Sequence, residues 1–395
     1  MGDLEHPVAA VRYLADDLLE GRLSGAPGER CAADYIALEF RRIGLAPGAQ
    51  GGEYLQPVEL RTAMNPHAPL GVGMNVVGVL EGSDPVLRAE AVVLGAHHDH
   101  LGRGELFGSL AGADDPPNAI HNGADDNASG VGVLLAVAEA LASGERLGRT
   151  VVFVTFSGEE FGLLGSAQYV QAPSVPVENT VAMINLDMVG RLEDDPLIVN
   201  GTGTAEEWTA VLDSLEVLHA IPMARSPEGF GPSDHTSFYA RGIPVLHFFT
   251  NVHGDYHRPD DEWELVDQEG MVRIAGLVAD VIRSVADRPA AITYLAGAGS
   301  PPAAGDTGYD SWLGTIPDFA PVDYGVRLSG VSGGSPAEAV GMRSGDILIR
   351  LGPFEIPDLY ALTDALREMK PGTEAEAVYV RDGEEFTVSV VLGRR

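Results

Sequence analysis

The chain has 395 residues, of which 58 are acidic and 25 basic, and its formal net charge is -33. A field of that sign repels nucleic acid and anionic membrane surfaces. An apolar fraction of 45%, with no apolar run near the ~18 residues needed to cross a bilayer, describes soluble globular domains, two or three by length, with no membrane span.

The single cysteine, Cys31, excludes an internal disulfide. No signal-peptide pattern follows Met1, Gly2 and Asp3, as expected of a cytoplasmic protein or of one whose leader has been trimmed.

In chain order, Val8, Val11, Leu14, Leu18 and Leu19 recur at helical spacing, and a second helix is predicted from Glu29 to Ile43, stopping at Gly44. Apolar runs at Met74 to Leu80, Ala91 to Ala96, Thr150 to Phe156, Val181 to Leu186 and Pro244 to Phe249 predict strands. Helical patterns cover Ser129 to Ala142, Ala205 to Leu218 and Asp267 to Ala286. This alternation predicts an α/β fold with a mostly parallel, mixed central sheet flanked by helices. In such sheets ligands bind beyond the carboxyl ends of the strands. Residues 288–308 are rich in Pro, Gly and Ala and predict a linker between a domain at 1–287 and a smaller one at 309–395. The smaller segment shows strand-like runs at Gly325 to Ser329, Asp346 to Leu351, Glu374 to Val380 and Glu385 to Leu392, with one helix at Leu359 to Met369.

Polar motifs occur at GAHHDH (95–100), GADDN (123–127), SGEE (157–160), NLDM (185–188) and YHRPDD (256–261), the first four at or just beyond the end of a predicted strand or loop. Zinc takes imidazole nitrogen and carboxylate oxygen, and two ions close together need one carboxylate that spans both. His97 and Asp187 could hold one ion, Glu160 and His257 the other, with Asp126 between them. Asp99, two residues after His97, is placed to accept that ring's second proton, and Asp261 to do the same for His257.

Taken singly, each residue has a plainer explanation. Asp126 and Asn127 precede a helix and could simply cap it, Glu159 and Glu160 could be exposed charge, and His247 inside an apolar strand reads as a core histidine. His6, His67, His121 and His219 lack motif context. Joint occurrence at strand ends in one domain is what favours metal binding.

As a set, these motifs identify a resemblance. From LLEGRLSGAPGERCAADYIALEFRRIGL through NVVGVLEG, VVLGAHHDHLG, NGADDNASG, FSGEEFGLLGS, INLDMVGR, SDHTSF and YHRPDDEWELVD, residues 1 to about 287 resemble the dizinc aminopeptidases related to bacterial leucyl aminopeptidase and aminopeptidase Y. The resemblance implies a zinc exopeptidase fold of the phosphorylase/hydrolase-like kind and two Zn2+ per chain. It makes Asp126 the bridging carboxylate, with His97, Asp187, Glu160 and His257 completing the two shells, and Glu159 the general base. It also implies a cis peptide bond between Asp126 and Asn127. The mechanism expected is hydrolysis of peptide substrates from the amino end, with Glu159 taking a proton from a metal-bridging water and passing it to the leaving amine. Tyr256 could donate to the oxyanion or be a packed aromatic. The Ser233-Asp234-His235 string is read as a pocket-edge loop, since consecutive side chains do not line up as a triad. His98 departs from the family, whose members more often carry Tyr or another bulky residue there.

The C-terminal segment resembles a bacterial PDZ domain through WLGT (312–315), IPDF after it, and SGVSGGSPAEAVGMRSGDILIRLG (329–352). The resemblance implies capture of a peptide or protein C-terminus, with the loop at Leu313 and Gly314 offering backbone donors to a carboxylate. Two alternatives use related centres: a carboxypeptidase or dipeptidase on the same dinuclear site, and a single-zinc acyltransferase similar to glutaminyl cyclase. Relatives of this family are commonly exported, so a periplasmic or extracellular location is the expectation.

Overall fold

A computed structural model describes residues 6–60, 69, 71–104, 108–112, 115–193, 195–298, 311–317, 322, 324–331, 334–357, 359–381 and 383–394. His67 and residues 299–308 of the predicted linker lie outside them. The chain divides into two compact units: Met1–Ser109, Pro116–Thr250 and His257–Pro301 form the larger, and Leu110–Asp115, Asn251–Tyr256 and Pro302–Arg395 the smaller.

The larger unit runs α1 (His6–Leu14), α2 (Pro27–Ile43), β1 (Ala46–Pro47), β2 (Leu55–Glu59), β3 (Val72–Leu80), β4 (Ala91–His97), α3 (Gly130–Ser143), β5 (Thr150–Phe156), α4 (Leu164–Gln171), β6 (Thr180–Leu186), β7 (Leu197–Asn200), α5 (Trp208–His219), β8 (Met223–Arg225), α6 (His235–Tyr239), β9 (Val245–Phe249) and α7 (Gln268–Ala286). Its nine-stranded sheet has the order β1-β3-β5-β4-β6-β9-β7-β8, with β2 also paired to β3. The centre, β5-β4-β6-β9, is parallel, and the pairings of β3 with β5 and of β7 with β9 are antiparallel. This is the mixed α/β architecture expected from the sequence.

β4, β5, β6 and β9 are buried from end to end. That is why they read as continuous apolar runs rather than alternating ones. α7 shows the opposite pattern. Met271, Ile274, Leu277, Val278, Val281, Ile282 and Val285 repeat at three- and four-residue spacing along its buried stripe, and the Asp267 carboxylate caps it by accepting from the Gly270 N–H. α3 is apolar on nearly every side because helices cover it as well as the sheet. Gly132 is needed there, since a Cβ would lie 2.5 Å from the Pro7 carbonyl oxygen of α1. Beyond α7 the chain stays attached to this unit: Leu295 donates to the Thr204 carbonyl, and the Ala298 N–H donates to the Tyr239 hydroxyl. Among the described residues no helix is long and apolar enough to cross a membrane.

The smaller unit contains β10 (Ser311–Trp312), β11 (Thr315–Pro317), β12 (Val326–Val331), α8 (Pro336–Ala339), β13 (Ile347–Leu351), β14 (Phe354–Glu355), α9 (Leu359–Glu368), β15 (Glu374–Arg381), β16 (Glu384–Val391) and β17 (Gly393–Arg394). β11 to β16 form one antiparallel sheet over its own apolar core. A bidentate pair from Arg381 to the buried Asp346 carboxylate, at 2.6 and 2.7 Å, ties β15 to the turn before β13.

Candidate metal centre

The parallel register brings the carboxyl ends of four strands to one edge. His97 is the last residue of β4, opposite Phe156, the last of β5. Glu159 and Glu160 follow β5, Asp187 follows β6, and His257 lies in the loop after β9. Asp126 lies in the wide turn 124–129 that leads into α3, and its bond to Asn127 is cis, as the resemblance implied.

That turn is latched to the loop after β6. The Asp125 carboxylate accepts from Gly190 N–H at 2.6 Å, Asn127 Nδ2 donates to the Leu186 carbonyl at 2.9 Å, and Asn127 Oδ1 accepts from Met188 N–H. Asp125 and Asn127 thus each have backbone partners, which fix the turn that carries Asp126.

Two donor sets form around Asp126. Oδ1 of Asp126 and Oδ1 of Asp187 each lie 3.3 Å from His97 Nε2. On the other side, Asp126 Oδ2 and Glu160 Oε2 lie 3.2 and 3.3 Å from His257 Nε2. Two donors about 2.0–2.1 Å from one tetrahedral zinc stand about 3.3 Å apart, so both sets have the spacing of a zinc cage. The rings are oriented to match. His97 Nδ1 donates to the Asp99 carbonyl at 3.2 Å and His257 Nδ1 to the Gly108 carbonyl at 2.7 Å, which leaves Nε2 of each facing the carboxylates.

The electrostatics are those of imidazoles and acids in close company away from water. Burial alone would favour neutral His97, but Asp187, Glu159 and Asp126 outweigh it and raise its pKa well above the usual value. His257 is likewise pushed up to about 10, against its burial, by Glu160 and Asp126. Asp126 is held well below the carboxylate range, despite burial, by its hydrogen bonds to the two rings. Glu159 differs from its neighbour: burial above all, together with Asp187, Glu160 and Asp234, raises its carboxyl well above the usual range. Its Oε2 lies 4.0 Å from His97 Nε2.

The supporting residues depart in part from the sequence reading. The Asp99 carboxylate stands 3.7 Å from His97 Nδ1, and it is the Asp99 main-chain carbonyl that accepts the ring proton. The carboxylate instead accepts from Ser24 Oγ at 2.6 Å and from the Glu159 N–H at 3.2 Å. Asp261 does not orient His257. Its Oδ2 accepts from the Asp125 and Asp126 N–H groups and Oδ1 from Arg191, because the loop after His257 is not helical and a four-residue spacing there does not face back. Ser233, at the edge expected for its string, donates to Asp187 Oδ2 at 2.7 Å, and the His235 ring stacks on His247 with centroids 4.5 Å apart. His98 turns to Glu29 of α2, at 3.1 Å. Tyr256 is half-buried in the turn before His257, with its N–H donating to the His253 carbonyl.

Two residues of this region escaped the sequence reading. His100 Nδ1 lies 2.6 Å from Glu160 Oε1. Arg22 is fully buried and donates to the carbonyls of Leu14, His98, Asn122 and Gly123.

Residues 75–282, more than half of the chain, match the model of peptidase family M28, and residues 317–392 match that of the PDZ domain. A probable leucine aminopeptidase of Arthroderma otae is 32% identical over 197 residues, which are 47% of this chain and 52% of that protein. Leucine aminopeptidase 2 of Trichophyton rubrum is 29% identical over 187 residues, 45% of this chain and 34% of its own. The chain thus spans about half or less of the length of these relatives. Among solved structures, an aminopeptidase from Aneurinibacillus sp. strain AM-1 superposes with a TM-score of 0.56 at 19% identity, covering 74% of this chain and 96% of that one. A Zn-dependent exopeptidase from Parabacteroides distasonis gives 0.58 at 21%, covering 71% and 98%. The glutaminyl cyclase of Porphyromonas gingivalis gives 0.56 at 22%, covering 70% and 96%. These likenesses share the fold of the larger unit, and with the family match they lead to one conclusion: the chain belongs to peptidase family M28 and carries a C-terminal PDZ domain.

Proposed function

We propose that the protein is a zinc-dependent exopeptidase that removes residues from the amino end of peptides and binds two Zn2+ ions. The observation that carries this reading is Asp126, whose two carboxylate oxygens face separate donor sets at 3.2–3.3 Å. His97 and Asp187 complete one set, Glu160 and His257 the other. Bound zinc would supply Lewis acidity, polarising the scissile carbonyl and lowering the pKa of water toward ~7.

The remaining work falls to the chain. Glu159 takes a proton from the attacking water and returns it to the leaving amine, and burial of its carboxyl favours that uptake. Asp99 is a positioning residue, holding the Glu159 backbone through its carboxylate and His97 through its carbonyl. Tyr256 is placed next to a ligand and donates to the oxyanion in this reading. A carboxylate-rich surround favours a substrate ammonium over a substrate carboxylate, which supports cleavage from the amino end, as does the similarity to leucine aminopeptidases. The PDZ domain takes a peptide or protein C-terminus, with Leu313 and Gly314 at its carboxylate loop.

The test measures zinc per chain and amino-acid release from free and N-acetylated peptides. Two zinc ions and cleavage of the free form alone are expected. Cleavage of the acetylated form from its other end reverses the assignment to a carboxypeptidase, and cyclisation of N-terminal glutamine without hydrolysis replaces it with the chemistry named for the Porphyromonas protein.

A further inference from the structure

Glu160 has two oxygens with different partners. Oε2 lies 3.3 Å from His257 Nε2, the spacing of donors around one zinc, whereas Oε1 lies 2.6 Å from His100 Nδ1, which is the spacing of a charge-assisted hydrogen bond and too short for two ligands of one tetrahedral ion. The carboxylate only accepts, so His100 Nδ1 carries the proton and donates.

The His100 ring is itself fixed. It is completely buried, the main-chain N–H of the residue donates to the Arg22 carbonyl and so fixes the backbone that carries the ring, and the ring edge meets His257 with centroids 5.7 Å apart. Gly123 lies against its other side, where a Cβ would come within 2.5 Å of Cδ2. A ring held on these sides cannot follow Glu160, so Glu160 follows the ring. Glu160 has rotatable bonds that would otherwise let either oxygen face Asp126 or swing out.

We propose that His100 is a positioning residue that, by donating Nδ1–H to Glu160 Oε1, turns Oε2 toward His257 and Asp126 and so completes one of the two ion sites. This rests on the reading above that Glu160 holds an ion. Removing an outer-shell partner of this kind lowers metal affinity by about 10–100-fold.

Zinc affinities of the full chain are measured by chelator competition for the wild type, His100→Leu and His100→Asn, with the Co2+ absorption spectrum as a second readout. His100→Leu is expected to hold one ion as the wild type does and the second about 10–100-fold more weakly. His100→Asn, whose amide donor falls near the place of Nδ1, is expected to recover most of the loss and the wild-type Co2+ spectrum. If His100→Leu keeps both ions at wild-type affinity, or if His100→Asn binds as weakly as His100→Leu, the proposal is overturned. Should His100→Leu not fold, His100→Gln, with its donor one methylene further out, replaces it under the same criteria. Failure of the underlying reading looks different: the wild type itself holds fewer than two ions, or Glu160→Gln holds both undiminished.

Discussion

Glu159 and Glu160 are adjacent in sequence and opposite in chemistry. Glu160 is held at about 2 because His257 and His100 offset its burial and the nearby Asp126, while Glu159, whose largest influence is also burial, is raised because it adds Asp187, Glu160 and Asp234 as like-charged neighbours. Environments that push neighbouring acids apart suit them to different tasks, which agrees with the proposal that Glu160 holds an ion and Glu159 accepts a proton. Glu159→Gln should therefore keep both zinc ions while kcat falls by about 10²–10⁴, read from metal content and initial rates on the same preparation. Full activity in that variant removes Glu159 from the mechanism. At this scale the sequence announced the residues that the site brings together, because His97, Glu159, Glu160 and Asp187 lie in motifs after apolar runs and Asp126 in one that opens a helix. It did not announce their outer partners. His100 was hidden because strand alternation groups it with His98, yet the chain leaves the sheet at His97, and the two rings then face Glu160 and Glu29 respectively. Asp261 was misjudged for a related reason: spacing in a loop does not define direction, and the partner of His257 is a carbonyl contributed by Gly108 from another loop.

The elements present the site through their ends, and Arg22 holds those ends together. Its guanidinium donates to the His98 carbonyl just past β4, to Asn122 and Gly123 before the Asp126 turn, and to Leu14 at the end of α1. Burial lowers its pKa to about 10, opposed by the fields of Asp126, Asp99, Asp261 and Glu160, so it remains a cation at neutral pH. Arg22→Met keeps much of the volume but leaves buried carbonyls without donors, at about 1–3 kcal/mol for each unsatisfied group. The Gly123 carbonyl keeps its bond from the Ala128 N–H, so chemical denaturation of the metal-free protein should show a loss of about 3–9 kcal/mol for the other three carbonyls by that bookkeeping, with Arg22→Lys intermediate. A loss below about 1 kcal/mol would mean that the clamp is replaced by water. The long central strands and α7 were legible from their periodicity. β7 and β8, of four and three residues, were not, because strands that short are specified by pairing with β9 and with each other rather than by their own pattern.

For the whole molecule, an excess of acid over base is concentrated again at the proposed metal centre, where protons and ions would compete for the same nitrogens. In the metal-free protein His257 titrates at about 10, against 6.5 for an unperturbed ring. A raised folded-state pKa contributes stability that is fully present below about 6.5 and is lost as pH rises through about 10. The acid side has its own boundary. Burial lowers His247 to about 4, and its stacked partner His235 well below its usual value, so stability falls as pH drops from about 6.5 toward 4 and the unfolded chain takes up protons that the folded one refuses. Zinc held by these rings, as proposed above, would remove the alkaline loss, because it would compete with the proton for the same nitrogens and bind more tightly as the proton becomes scarce. The Tm of chelator-treated protein should thus decline between pH 6.5 and 10 while that of protein in excess zinc does not, so the gap between them widens with pH. Zinc loading near pH 7 should release at least two protons per chain, one each from His97 and His257, measurable by calorimetry in buffers of different ionisation enthalpy. A gap that stays constant across that range, or loading without proton release, would show that neither ring surrenders a proton to the metal and would remove His97 and His257 from the ligand set.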